Sequence, residues 1–184
     1  MTRPMLLGLV TLALLLGCAT SPQFYGWPTQ GGTGTPPVIE AYYAPQSIGP
    51  GSTWNVYLRA KDPDGDMLYI ACMTSETGYG PVNNAEIPLK GNDRAEFSGY
   101  VSMPIPAYDS FEAAGLNFNT TILIRDQQGN PSQQIQLSFT LDGGSGQAVP
   151  PRWQDAANHH LGDILVDASL FTSSGVQGGD RGNN

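Results

Sequence analysis

The sequence is poor in cysteine, in charge and in long apolar runs, and each shortage excludes a class of protein. Its 184 residues include only two cysteines, Cys18 and Cys72, too few for a disulfide-stapled scaffold. Only 13% of the residues are charged, and 8 basic residues face 16 acidic ones. This balance argues against nucleic acid and against anionic lipid as partners, because both need clustered basic residues. No apolar run reaches the roughly 20 residues that a membrane-spanning helix requires.

Glycine and proline, by contrast, are abundant, with 23 and 15 copies. Both residues concentrate in turns and irregular segments. This composition predicts a β-rich domain with many turns, flanked by unstructured segments.

The first residues have the pattern of an export signal. Arg3 precedes an apolar run, residues 5–16, that ends in small residues, which predicts a signal peptide over residues 1–17. The ending Leu15-Leu16-Gly17-Cys18 resembles the lipobox of bacterial lipoproteins. That resemblance implies cleavage before Cys18 and acylation of its thiol by fatty acids such as palmitate. Since Ala19, and not aspartate, follows the cysteine, the chain resembles lipoproteins that are sent to the outer membrane of two-membrane bacteria.

Residues 18–37 are predicted to form a flexible tether between the lipid and the folded domain, because they contain glycine, threonine and proline without apolar periodicity. Phe24, Tyr25 and Trp27 are unusual in such a segment. Aromatic rings suit the membrane interface, and they also suit docking on the domain. The sequence leaves both alternatives open.

Residues 38–142 are predicted to form an all-β domain of about seven strands. In the second strand Trp54, Val56, Leu58 and Ala60 alternate with polar residues, as in a strand with one buried face. The predicted strands are Val38–Tyr43, Ser52–Lys61, Met67–Thr74, Glu86–Lys90, Arg94–Met103, Leu116–Arg125 and Gln133–Leu141. Short strands separated by turn residues over about this length indicate a β-sandwich of the immunoglobulin (Ig) type.

Two passages carry a family resemblance. Residues 58–69, with the turn Asp62-Pro63-Asp64-Gly65-Asp66, resemble the passage from the second to the third strand of bacterial Ig-like and cadherin-like domains. Residues 122–132 resemble the last hairpin of the same domains. The resemblance implies an Ig-like β-sandwich. Cys72 and Met73 lie near the position where many such domains have tryptophan, so the subfamily stays open.

The C-terminal part is predicted to contain a linker over 143–151, an amphipathic helix over 152–171 and a disordered tail over 172–184. Apolar residues from Trp153 to Ala168 recur at spacings of three and four, which is typical of a helix with one apolar face. An isolated helix of this length is barely stable in water, so it must dock on the domain or on a partner. We expect Trp153, Leu161, Ile164 and Leu165 to form the partner-binding stripe.

The strongest candidate for a metal site is Asp62, Asp64 and Asp66, joined by Asp126 from another turn. Hard oxygen donors at alternate positions are the ligands that calcium prefers, and cadherin-like domains bind calcium with acidic turns of this kind. Aspartate, proline and glycine are also the residues that form tight turns. The structural turn is the favoured interpretation, and calcium is the alternative. No other cofactor is predicted.

Three further residues have simple structural interpretations. Cys72 lies in an apolar run and is predicted to pack as a small hydrophobic residue. His159 and His160 are adjacent and would point about 100° apart in a helix, so they cannot chelate one ion together. They are predicted to lie in a packed interface.

We therefore expect a non-catalytic lipoprotein of the cell envelope, held at the membrane by Cys18, that binds a protein partner or assembles an envelope complex. The alternative is a carbohydrate-binding or adhesive module with exposed Tyr57, Tyr69, Tyr79 and Tyr100. A hydrolase using carboxylates such as Asp109 and Glu112 is the weakest hypothesis, since no catalytic motif accompanies them.

Overall fold

The protein is a two-layered β-sandwich. The computed structural model describes residues 31–49, 51–77, 81–105, 115–142 and 148–165. The strands are β1 (Val38–Tyr43), β2 (Ser47–Ile48), β3 (Thr53–Lys61), β4 (Met67–Glu76), β5 (Pro81–Pro88), β6 (Glu96–Pro104), β7 (Asn117–Asp126), β8 (Ile135–Leu141) and β9 (His160–Asp163). Short 3₁₀ turns occupy Gly91–Arg94, Pro151–Trp153 and Ala156–Asn158. Within the described ranges, no helix is both long and apolar enough to cross a membrane.

The strand order is that of an Ig-like domain. Sheet A has the order β1-β3-β6-β9, and sheet B has the order β2-β8-β7-β4-β5. The strands β1, β3 and β6 match strands A, B and E of an Ig domain, and β4, β7 and β8 match C, F and G. The short β2 continues from β1 into sheet B, where it pairs in parallel with β8. At the other edge, β9 pairs in parallel with β6, at the position of Ig strand D.

The core lies between the two sheets and follows the alternation of the strands. The four inward residues of β3 are at most 1% exposed, as their spacing predicts. Trp54 packs against Phe139 of the opposite sheet, with ring centroids 4.4 Å apart. Its indole N–H donates a hydrogen bond of 2.8 Å to the carbonyl of Pro45, which satisfies the polar group of this buried ring.

Six of the seven predicted strands are confirmed, with shifts of at most two residues at their ends. The other, predicted over Glu86–Lys90, is β5, which begins five residues earlier, at Pro81. Cys72 is buried in the core, as predicted, and burial raises the pKa of its thiol. The sequence analysis missed β2 and β9. Two residues are too short to produce a periodic pattern, and β9 lies inside the predicted helix.

The predicted C-terminal helix is wrong for the residues that the structure describes. Residues 151–158 form two 3₁₀ turns, and His160–Asp163 is a strand. Backbone hydrogen bonds explain the difference: Tyr100 N–H donates to the carbonyl of His159 at 2.9 Å, and Ile164 N–H donates to the carbonyl of Ser102 at 2.6 Å. The backbone groups of this segment thus form their hydrogen bonds with the edge of β6 instead of within a helix. Residues 166–184 lie outside the described part.

The end of the predicted tether is also not a free coil. Gly32 N–H donates a hydrogen bond of 2.9 Å to the carbonyl of Gln128, and the side-chain amide of Asn130 donates to the carbonyl of Thr33 at 3.2 Å. A Cβ on Gly31 would lie 2.0 Å from the Asn130 side-chain oxygen, so only glycine fits this contact. Residues 31–37 therefore belong to the domain. The signal peptide, Cys18 and residues 19–30 lie outside the described part.

Candidate functional site

Three carboxylates meet at one end of the sandwich. The turn between β3 and β4 supplies Asp62 and Asp66, and the end of β7 supplies Asp126, because the two turns lie side by side. One oxygen from each carboxylate lies within 4.8 Å of the others. Asp64 is not part of this group, since its carboxylate points to the N-terminal segment and accepts a hydrogen bond of 2.6 Å from Thr35 N–H.

Most oxygens in this cluster are already used by the turns themselves. Asp62 accepts hydrogen bonds from the backbone N–H groups of Asp64 at 3.0 Å and Asp66 at 3.4 Å. Asp126 accepts two hydrogen bonds of 2.7 Å from Asn130, one from the backbone and one from the side chain. These are the contacts by which aspartate stabilises tight turns. The geometry favours the structural interpretation of this sequence motif.

Asp66 is the exception within the cluster. Its Oδ1 is buried and accepts no hydrogen bond within the described residues. Burial raises the pKa of the Asp66 carboxyl, and hydrogen bonding to Asp62 and repulsion by Asp126 raise it further. The folded protein thus favours the protonated form of Asp66, so this residue stabilises the fold at acid pH. That contribution is lost as the pH rises through the folded-state pKa.

We expect the substitution Asp66→Asn to raise the stability at neutral pH by about 1 kcal/mol, because an amide removes the buried charge and can donate to a neighbouring carboxylate. The gain should vanish at a pH low enough to protonate Asp66 in the wild type. Thermal melting between pH 3 and 8 measures both effects, and Asp64→Asn serves as the control. A calcium-dependent rise of the wild-type melting temperature that Asp66→Asn abolishes would contradict the structural interpretation and identify a metal site.

The predicted partner-binding stripe is packed mostly on the protein itself. We call residues 148–165 the C-terminal strap, since they cross the outer face of sheet A and end as β9. Trp153 is 2% exposed and Ile164 is 0% exposed, and the latter belongs to the main core. Leu161 is partly buried against that core, so only Leu165 is left exposed, at 73%. The expectation that these four residues bind a partner is therefore wrong for Trp153 and Ile164.

The strap also covers the tyrosines of the carbohydrate hypothesis. The Trp153 ring stacks on Tyr43 and lies 6.2 Å from Tyr57, which is only 3% exposed. Tyr100 packs between Tyr57 and His160, with centroid distances of 5.7 and 5.0 Å. Tyr57 and Tyr100 therefore do not form an open aromatic platform on sheet A. Tyr69 lies on the other sheet, and Tyr79 lies outside the described residues.

The two histidines have different partners, and both side chains are more than 40% exposed, so the predicted packed interface is wrong for them. His159 lies 3.3 Å from the Asp93 carboxylate. His160 Nε2 lies 3.2 Å from Asp163 and 3.1 Å from the Ser102 hydroxyl. A catalytic triad needs the carboxylate and the hydroxyl on opposite ring nitrogens, whereas here both approach the same one. Asp109 and Glu112 lie outside the described residues.

A cleft of about 340 Å³ lies between the outer edges of β5 and β9. Gly162 makes this arrangement possible: its φ is +154°, and a Cβ there would lie 2.6 Å from Ile87. The walls carry three carboxylates and one lysine, in addition to the histidine of β9: Glu86, Asp93, Asp163, Lys90 and His160. This cleft could not be predicted from the sequence, because one of its walls is β9, and the apolar spacing of that segment predicted a helix instead of a strand.

No family model matches the chain, and no curated protein matches it. Among solved structures, the chain is similar to the PKD domain of an M14-like peptidase from the Thermoplasmatales archaeon SCGC AB-540-F20. The identity is 16% and the TM-score is 0.42, over 60% of this chain and 99% of that chain. The fold assignment rests on the strand order of the protein itself, which is that of an Ig-like β-sandwich.

Proposed function

We propose that this protein is a non-catalytic, lipid-anchored module of the bacterial cell envelope that binds a protein partner in the cleft between β5 and β9. The observation that supports the proposal most strongly is that the outer edges of β5 and β9 both line one open cleft. Within the described residues, β5 pairs only with β4 and β9 pairs only with β6. Their outer edges therefore have backbone groups available to a further strand, as in recognition by β-strand addition.

The charge of the cleft defines the partner further. Glu86, Asp93 and Asp163 place three carboxylates along its walls, against the single ammonium of Lys90. The whole chain carries a net charge of −8. Opposite charges across an interface steer association and disfavour wrong partners. The proposed partner therefore presents an extended segment with basic side chains.

The N-terminal motif supports the proposed location. The lipobox-like sequence before Cys18 supports cleavage and acylation there, with the outer membrane as destination if the source has two membranes. A module fixed at the membrane needs little affinity of its own, because anchoring raises the local concentration of partners at the same surface. This favours a holding or assembling role.

The cleft is tested by photo-crosslinking in cells. A photoreactive amino acid replaces Lys90, which is exposed in the cleft, or, as the control, Gln136, which is exposed on the outer face of sheet B. We expect one dominant protein adduct from position 90, its loss when Asp163→Lys is added, and none from position 136. Equal adduct yields from both positions would refute the cleft as the binding site, and so would an adduct yield that Asp163→Lys leaves unchanged.

The anchor is tested by metabolic labelling with a fatty-acid analogue. We expect the label to enter the wild-type chain and Cys72→Ala, since Cys72 is only 1% exposed, and to be absent from Cys18→Ser. The membrane fraction should lose the mature form of Cys18→Ser. Labelling of the Cys18→Ser chain would disprove lipidation at this residue without affecting the result for the cleft.

A further inference from the structure

Part of the outer face of sheet B is buried. Along β7, the side chains of Leu123 and Arg125 alternate with the core residues and therefore point away from the core. They are nevertheless only 2% and 4% exposed, and Ala71, which pairs with Leu123, is 0% exposed. A leucine and an arginine on an open sheet face would keep much more contact with water.

These residues form an apolar patch of their own. Ala71 and Leu123 make a cluster separate from the main core, flanked by the partly buried side chains of Tyr69 and Met73. We call these four residues the outer patch. The strap does not cover this patch, since it packs on β3 and β6 of sheet A. A further segment is needed to cover the patch.

The chain enters the described domain beside this patch. Residues 31–33 are fixed to the turn after β7 by the hydrogen bonds from Gly32 to Gln128 and from Asn130 to Thr33. Leu123 lies three residues before the end of β7 at Asp126, a distance of about 10 Å along a strand. The segment that precedes Gly31 therefore starts within reach of the patch.

We propose that the aromatic segment Phe24-Tyr25-Gly26-Trp27 docks on the outer patch. Trp27 lies four residues before Gly31, and four extended residues span up to about 13 Å, enough to reach Leu123. Three aromatic rings in four residues provide the apolar surface that would cover the patch. The C-terminal tail is a poorer candidate, because the last described residue before it, Leu165, lies next to the edge of sheet A.

Docking of this segment shortens the free part of the tether. With residues 24–37 fixed to the domain, only residues 19–23 remain free between the lipidated cysteine and the domain. Five residues span at most about 17 Å, so the sandwich is held close to the membrane with one end facing it. The aromatic segment is then a spacer that limits both distance and orientation.

Oxidation of Met73 by peroxide tests the docking in the full chain in its own membrane. Met73 belongs to the outer patch, while Met67 and Met103 are at most 1% exposed and serve as internal controls. We expect the triple substitution Phe24→Ser, Tyr25→Ser, Trp27→Ser to raise the oxidation rate of Met73 several-fold. The rates of Met67 and Met103 should stay unchanged, and so should all three rates in the tail variant Leu170→Ser, Phe171→Ser.

A photoreactive amino acid at position 73 identifies the occupant directly and does not depend on the variants folding. We expect adducts within residues 19–30 of the same chain. Adducts with residues 166–184, with lipid or with another protein would overturn the proposal. An oxidation rate of Met73 that the triple substitution leaves unchanged would overturn it as well.

Discussion

The substitution Ile164→Asp is expected to unfold the domain or to destabilise it by about 4 kcal/mol or more. Ile164 is completely buried in the main core, at the point where the strap ends, so an aspartate there loses the apolar contacts and also buries a charge. Had this segment been a surface helix that binds a partner, the same substitution would leave the fold intact. Chemical denaturation of the purified domain measures the difference.

The neighbouring residue provides the matched control. Leu165 is 73% exposed, and Leu165→Asp is expected to change the free energy of unfolding by no more than about 0.5 kcal/mol. The two variants differ by one position and introduce the same charge. Equal effects of the two substitutions would show that Ile164, directly after β9, does not pack in the core.

The sheet strands could be predicted from the sequence because their burial follows a local rule. In β3 every second residue is apolar, and the sheet buries this face, so the pattern and the structure agree. In the strap, the apolar pattern and the structure do not agree. Its apolar residues fit a helical spacing, yet Trp153 is buried outside sheet A whereas Ile164 is buried inside the sandwich. The two residues pack on different surfaces, and a periodic pattern read along one helix face cannot represent this.

The aspartate cluster, too, could be predicted only in part. That Asp126 would join Asp62 and Asp66 followed from the order of the strands, because turns at the same end of a sandwich lie close together. The separation of Asp64 did not follow, because it depends on Thr35, in a segment that the sequence suggested was a free tether. Contacts between distant segments decide the details of this site, and composition alone does not reveal them.

The substitution Trp153→Ala is expected to cost about 3 kcal/mol, since the indole is 2% exposed and fills the space between the strap and sheet A. It stacks on the tyrosines of β1 and β3, and the Arg59 guanidinium lies 5.0 Å from the ring centroid. Trp153→Phe is the informative control. The Trp153 Nε1 is buried without a hydrogen-bond partner among the described residues, so phenylalanine keeps an aromatic ring and removes an unsatisfied donor. Its cost should stay below about 1 kcal/mol.

Amide hydrogen exchange locates the effect of Trp153→Ala. The amides of Tyr100 and Ile164 donate to His159 and Ser102 across the contact between β6 and the strap. Their protection should fall much more than that of Leu58, in the centre of β3.

A uniform fall in protection would mean that the strap and the sandwich unfold as one unit. A selective fall means that the strap is a separate, weaker unit whose opening exposes Tyr57 and Tyr100 and removes one wall of the β5–β9 cleft. In that case partner binding and strap closure are coupled, and Trp153→Ala should weaken the crosslink from position 90 although Trp153 lies outside the cleft.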